Sequence, residues 1–202
     1  MYTIGVDLGG TNIAIGLCDD ELHILEKGSV PTRPERDGEE IVRDMAALAE
    51  KLMKKRGLAV EDIAYVGIAT PGSANAVSGV VEYANNLPFF NFPIAKIFKQ
   101  YLPVKEVLIA NDANAAALAE ALIGSAKGTK NSLMITLGTG VGGGVILDGK
   151  IYDGGVNCAG AELGHTVIVA GGRQCSCGRR GCFEAYASAT ALTEMTREAM
   201  TE

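Results

Sequence analysis

The chain has 202 residues, 48% hydrophobic and 21% charged, an ordinary globular composition that can bury a core and excludes a disordered chain. The formal net charge is −6 and the basic residues are scattered, which argues against a nucleic-acid partner; the short runs Lys54-Lys55-Arg56 and Arg179-Arg180 read as solvated faces. No stretch approaches the ~20 apolar residues of a membrane span, and the opening Met1 to Asp7 lacks the basic start and apolar run of a signal peptide, so no membrane partner and a cytoplasmic location are expected.

In chain order, Ile4 to Leu8 is an apolar run ending in Gly9-Gly10, hence a strand and a tight turn, with Ile13 to Leu17 as the return strand. Leu22 to Val30 reads as a third strand. Glu39 to Lys55 carries Ile41, Val42, Met45, Leu48, Ala49 and Leu52 at helical spacing. Ile63 to Ala69 is the next strand, Ser73 to Pro93 a loop-rich segment, and Ile94 to Tyr101 a short helix. Glu106 to Ala110 is a strand that feeds an alanine-rich helix from Ala113 to Ile123. Ser132 to Leu137, Gly138-Thr139-Gly140 and Val141 to Leu147 then repeat the opening strand–turn–strand unit, which signals an internal duplication. The expected organisation is one α/β unit over residues 1–124 and a second over 125–202. The first takes roughly 110 to 125 residues, a small-domain size, and fewer remain after Asn131, so the second unit is expected to be incomplete.

Both glycine turns have the chemistry of anion sites. In Asp7-Leu8-Gly9-Gly10-Thr11-Asn12, glycines let backbone N–H groups approach an anion. Thr11 and Asn12 add donors, and Asp7 can hold a phosphate-bound metal directly or through water. Alone, this turn reads first as an ordinary hairpin. The second turn, Gly138-Thr139-Gly140 followed by Val141 and Gly142 to Gly144, adds weight: glycines inside a strand weaken it unless a backbone or ligand must come close. Two such turns suggest two jaws on one polyphosphate. Neither is a Walker A loop or a dinucleotide fingerprint.

Asn111-Asp112-Ala113-Asn114 sits where a strand gives way to a helix, the end of an α/β sheet at which ligands bind. Asp112 there can accept the proton of an attacking hydroxyl in phosphoryl transfer, or serve only as a helix N-cap. Of five cysteines, Cys175, Cys177 and Cys182 crowd into eight residues downstream of His165. One His and three Cys form the ligand set of a closed, structural zinc site; three free buried cysteines are the alternative. Cys18 and Cys158 are assigned to core packing, and His23 to the surface. Glu162 and Glu184 flank the zinc segment and suit either the orientation of polyol hydroxyls or a solvated helix face.

Together DLGGT from Asp7, GIATPG ending at Gly72, NDANAAALAE from Asn111, GTGVGGG from Gly138, ELGH ending at His165 and CSCGRRGCFE ending at Glu184 resemble the ROK family of bacterial sugar kinases and sugar-responsive repressors, over nearly the whole chain. The resemblance implies an actin-like, hexokinase-like duplicated ATPase fold built of ribonuclease H-like units, with hexose and ATP in an interdomain cleft and Mg2+ accompanying the ATP. It implies Asp112 as catalytic base and Asn111, Asp112, Glu162, His165 and Glu184 as sugar ligands, with Gly72 and Asn86 near the same pocket. Asp7, Gly9, Gly10, Thr11, Asn12, Gly138, Thr139 and Gly140 match the phosphate loops. His165, Cys175, Cys177 and Cys182 match the ligands of a structural Zn2+. Glu162 in ELGH resembles the glucokinase-like branch, which makes glucose the first expectation, with another hexose or an N-acetylhexosamine as alternatives. Family kinases continue well past residue 202, so the chain is expected to be C-terminally truncated and to lack the adenosine pocket; the full-length protein is expected to be a homo-oligomer. A repressor would carry a helix-turn-helix ahead of the first turn, for which the seven residues up to Asp7 leave no room. A purely structural actin-like protein would not need Asp112, Glu162 and Glu184.

Overall fold

The computed structural model describes residues 1–152, 154 and 161–201. Cys158 lies outside the described residues. Contacts divide the chain into two compact units, Met1–Asp112 and Ala113–Glu202.

The first unit is a five-stranded mixed sheet, ordered β3-β2-β1-β4-β8. β1 (Tyr2–Leu8), β2 (Asn12–Cys18) and β3 (Ile24–Pro31) form an antiparallel meander. β4 (Ile63–Thr70) and β8 (Val107–Asn111) run parallel to β1. The alternation of Ile4, Val6, Leu8 and of Ile13, Ile15, Leu17 puts one apolar face of the hairpin into the core, where all six are essentially fully buried. Helix α1 (Gly38–Lys55) supplies the facing stripe of Ile41, Val42, Met45, Leu48, Ala49 and Leu52. The Asp37 side chain caps its start by accepting from the Glu39 N–H at 2.8 Å. Each such buried Leu, Ile or Met contributes about 1.5–3 kcal/mol.

Three local outcomes differ from the sequence expectations. The third strand begins at Ile24, because Leu22 adopts φ +67° in a turn whose Asp19 side chain accepts from the Glu21 and His23 N–H groups. The Ser73–Pro93 segment is a small antiparallel sheet of β5 (Ser73–Asn75), β6 (Val80–Tyr83) and β7 (Phe90–Phe92). Strands of three or four residues are too short to display a period; here the Asn75 side chain fixes the turn by accepting from the Val77 and Ser78 N–H groups. Helix α2 (Ile94–Tyr101) has its expected bounds, whereas α3 (Asp112–Leu122) starts at Asp112 itself.

The second unit opens with α3 and a three-stranded antiparallel sheet, β11-β10-β9. Strands β9 (Ser132–Leu137) and β10 (Val141–Leu147) fall where expected, and β11 (Lys150–Ile151) adds two residues. After a 3-10 turn at Leu163–His165 come α4 (Glu184–Ala187) and α5 (Ala189–Ala199). The glycines of β10 exist for packing: a Cβ on Gly144 would come within 2.4 Å of Ala117 Cβ in α3, and one on Gly143 within 2.5 Å of the Leu163 side chain. Helix and 3-10 turn press on opposite faces of the strand, which is the close approach that the sequence left open between backbone and ligand. No described helix is long and apolar enough to cross a membrane.

Candidate functional site

In the first unit, β1, β4 and β8 are parallel, so their carboxyl ends emerge at one end of the sheet; the register aligns Asp7 with Ala69 and Thr70 with Asn111. From those ends leave the first glycine turn, the Pro71-Gly72 segment and Asp112. The turn closes through the Gly9 N–H donating to the Asn12 carbonyl at 3.0 Å. Behind it Thr32, fully buried, donates its hydroxyl to the Gly9 carbonyl at 2.7 Å and its N–H to the Thr11 carbonyl at 2.9 Å. A Cβ on Gly10 would lie 3.3 Å from Asn86 Cβ, so the turn rests against Asn86. Gly72 is at φ +83°, and a Cβ there would meet the Tyr83 carbonyl oxygen at 2.0 Å, a position only glycine can fill. Asn111 Nδ2 donates to the Gly72 carbonyl at 3.1 Å. The structure thus gathers Asp7, Gly9, Gly10, Gly72, Asn86 and Asn111 at one end of one sheet, with Thr11 and Asn12 exposed on the turn and Asp112 exposed on the first turn of α3.

The second unit builds its turn differently. Gly138 N–H donates to the Gly140 carbonyl at 3.0 Å, closing the turn. Two donors from the start of α5 hold the turn's own carbonyls: Ala189 N–H to Gly138 at 2.8 Å, and the Thr190 hydroxyl to Thr139 at 2.8 Å. From the other flank Glu184 Oε2 accepts the Val141 N–H at 3.0 Å, while its Oε1 accepts the Ser176 hydroxyl at 3.0 Å. Glu184 therefore joins the cysteine segment to the glycine turn and is not the solvated helix acid that its sequence context also allowed. Glu162 is exposed just before the 3-10 turn that carries His165.

His165, Cys175, Cys177 and Cys182 come together, with one ligand atom from each lying within 4.8 Å of the others. Cys177 Sγ is 3.7 Å from Cys182 Sγ, and Cys175 Sγ is 3.6 Å from His165 Nδ1. A tetrahedral ion with Zn–S near 2.3 Å and Zn–N near 2.0 Å has S–S edges of about 3.8 Å and S–N edges of about 3.5 Å. The two separations are those edges, and a 3.7 Å pair is far too long for a disulfide. The Arg179 backbone N–H, first among several donors, pulls the Cys177 thiol down to about 6, whereas burial and then the neighbouring thiols push Cys182 up to about 11. A cation held by these four residues would supply the charge that lets all three sulfurs be thiolates. Gly178 and Gly181, at φ +86° and +83°, give the loop its left-handed corners. The donor set of one imidazole and three thiolates suits zinc and, being closed, a structural ion.

Sequence reasoning missed Thr32, Ser176, Ala189 and Thr190. A single hydroxyl or N–H reaching a carbonyl 23 or 51 residues away leaves no periodic trace; the only signal was a Thr near the end of the third strand and another near a helix start.

The ROK family model matches residues 3–202. The chain is 37% identical to a glucokinase of Halalkalibacterium halodurans over 202 residues, covering 100% of this chain and 61% of that protein. It is 34% identical to an N-acetylmannosamine kinase of Vibrio cholerae over 204 residues, covering 100% of this chain and 67% of that protein. Among solved structures, a ROK hexokinase from Thermus thermophilus superposes with a TM-score of 0.87 at 38% identity, over 100% of this chain and 65% of that one. A ROK glucokinase from Streptomyces griseus in complex with glucose and AMPPNP superposes with a TM-score of 0.82 at 36% identity, over 100% of this chain and 62% of that one. The chain thus spans about 60% of the length of the glucokinases it matches, and its fold is that of the ROK hexokinases, an actin-like ATPase fold whose second unit is represented in part.

Proposed function

We propose a function from one established premise: the chain belongs to the ROK family. On that premise the protein is an ATP-dependent hexose kinase, with glucose as the preferred substrate and the 6-hydroxyl as acceptor. The observation that carries the proposal is the carboxyl ends of the parallel strands β1, β4 and β8, where a glycine turn, Asn86, Gly72 and the Asn111-Asp112 pair are assembled at the end of the sheet at which α/β folds bind ligands.

The proposed roles follow from the chemistry of each group. Asp112 takes the proton of the attacking hydroxyl, so that the oxygen can attack the γ-phosphorus in line. Asn111 orients the same hydroxyl and is itself aimed by its bond to Gly72. Glu162 and Glu184 accept hydrogen bonds from sugar hydroxyls. Glu184 keeps capacity for this, since a carboxylate offers about four lone-pair sites. His165 binds zinc through Nδ1, the nitrogen that faces Cys175, which makes Nε2 an N–H donor for the sugar. Zinc is structural, held by His165, Cys175, Cys177 and Cys182. The turns at Gly9–Asn12 and Gly138–Gly140 receive the phosphates on their N–H groups. Mg2+ accompanying ATP neutralises phosphate charge, and Asp7 is its proposed contact.

The test is a coupled ADP-release assay on the full-length protein with a panel of hexoses and N-acetylhexosamines. Glucose is expected to give the highest kcat/KM. A preference for N-acetylmannosamine, the substrate named for the Vibrio cholerae relative, would replace glucose and keep the kinase. No turnover on any sugar, with sugar binding intact, would replace the kinase with a non-catalytic sugar-binding regulator.

A further inference from the structure

The two halves hold their glycine turns by the same device, drawn from unrelated parts of the chain. In the first unit the Thr32 hydroxyl donates to the carbonyl of Gly9, and the N–H of Thr32 donates to that of Thr11. In the second the Thr190 hydroxyl donates to the carbonyl of Thr139, and the N–H of the preceding Ala189 donates to that of Gly138. Thr32 follows a strand and Thr190 opens a helix, so common secondary structure does not explain the coincidence. Each turn has two of its carbonyls tied from behind by one hydroxyl and one N–H. Peptide units alternate donor and acceptor, and a short turn with its carbonyls anchored on one side presents amides on the other.

We infer that Thr32 and Thr190 are positioning residues: they hold the two glycine turns by their carbonyl oxygens so that the turn amides are set for phosphate. The inference rests on the phosphate-binding role proposed above for the turns. The two braces differ in strength. Thr32 is fully buried, where a lost donor leaves the Gly9 carbonyl without water as a substitute, whereas Thr190 is exposed and water can replace its hydroxyl. The brace on the first turn therefore matters more.

Valine replaces threonine at nearly the same volume and removes only the hydroxyl, while serine keeps it. The amides of Gly9 and Gly138 close their turns, to Asn12 and Gly140 respectively, so their hydrogen exchange reports each turn separately. In the 202-residue chain, Thr32→Val is expected to raise Gly9 exchange about tenfold and leave Gly138 unchanged. Thr190→Val is expected to raise Gly138 exchange about threefold and leave Gly9 unchanged. In the full-length protein the same variants should raise the KM for ATP by about these factors, with the KM for hexose within about twofold. Thr32→Ser and Thr190→Ser should restore both readouts. Unchanged exchange in the valine variants overturns the inference, as does raised exchange with hexose and ATP affected equally. A separate arm tests the turn itself. A Cβ on Gly138 meets nothing within 4 Å, so Gly138→Ala leaves the fold alone and intrudes only on an approaching ligand. Should Gly138→Ala not raise the KM for ATP, the phosphate role of the turn fails, and the failure is read independently of the braces.

Discussion

The two strand–turn–strand hairpins have the same outline and opposite surroundings. In the first, β1 is paired on both edges, and Ile4, Val6 and Leu8 are buried in the apolar core. In the second, β9 pairs with β10 alone among the described residues, and Leu133, Ile135 and Leu137 along one face are 61%, 39% and 66% exposed. The contiguous apolar core runs from Ile4 to Ile109 and stays within the first unit. Among the described residues of the second unit, the buried apolar ones are Ala117, Val141, Ile146, Cys175, Cys182 and Ala191, two of them sulfur ligands of the candidate metal site. The difference teaches where each turn gets its rigidity. The first is braced by Thr32 at the margin of a hydrophobic core; the second is held by Glu184 and α5, which hang from the cysteine segment.

The largest expected effect follows from this contrast. Removing the metal by chelation, or the ligand set by Cys177→Ala, should unfold the second unit, because structural zinc contributes of order 10 kcal/mol to such sites. The first unit should keep its fold. Hydrogen exchange resolved by unit checks this, together with elemental analysis that should find one zinc per chain. Uniform loss of protection, or full protection without metal, breaks the comparison.

A smaller effect is expected in the first unit. Gly72→Ala places a Cβ 2.0 Å from the Tyr83 carbonyl at φ +83° and should cost about 3 kcal/mol. In urea unfolding followed by unit, the loss should appear in the first transition region that reports β4–β8 and not in the zinc segment. The smallest effect sharpens the account of the second unit. Ser188, 3% exposed, caps α5 by accepting the Ala191 N–H at 3.0 Å. Ser188→Ala should cost about 1 kcal/mol and, since Ala189 and Thr190 follow directly, should also speed Gly138 amide exchange.

How far the sequence could be read differs between the same two regions. Strong periodicity placed α1, and apolar runs bounded by glycine or proline placed β1, β2, β4, β9 and β10 to within a residue or two. The Cys/His spacing named the residues that the fold does bring together. What escaped was of two kinds. The β5–β7 sheet has strands too short for any period, and its β5–β6 turn is held by the Asn75 side chain. The second kind was the carbonyl braces and the Ser176–Glu184–Val141 link, which are single hydrogen bonds between residues 8 to 51 positions apart. Gly142 to Gly144 left a choice open for a related reason: a glycine announces that something comes close, without saying whether it is a ligand or, as here, Ala117 and Leu163.

The measurement that bears most directly on the account concerns Asp112, the residue at which the first unit ends and α3 begins. Asp112→Asn in the full-length protein changes one oxygen to an amide nitrogen and keeps a residue favoured at helix starts, so metal content and thermal unfolding should stay at the parent values. With a lost general base, kcat for glucose should fall by roughly two to four orders of magnitude, while the KM for glucose changes little. A folded, zinc-loaded Asp112→Asn protein that phosphorylates glucose at the parent rate would contradict the account.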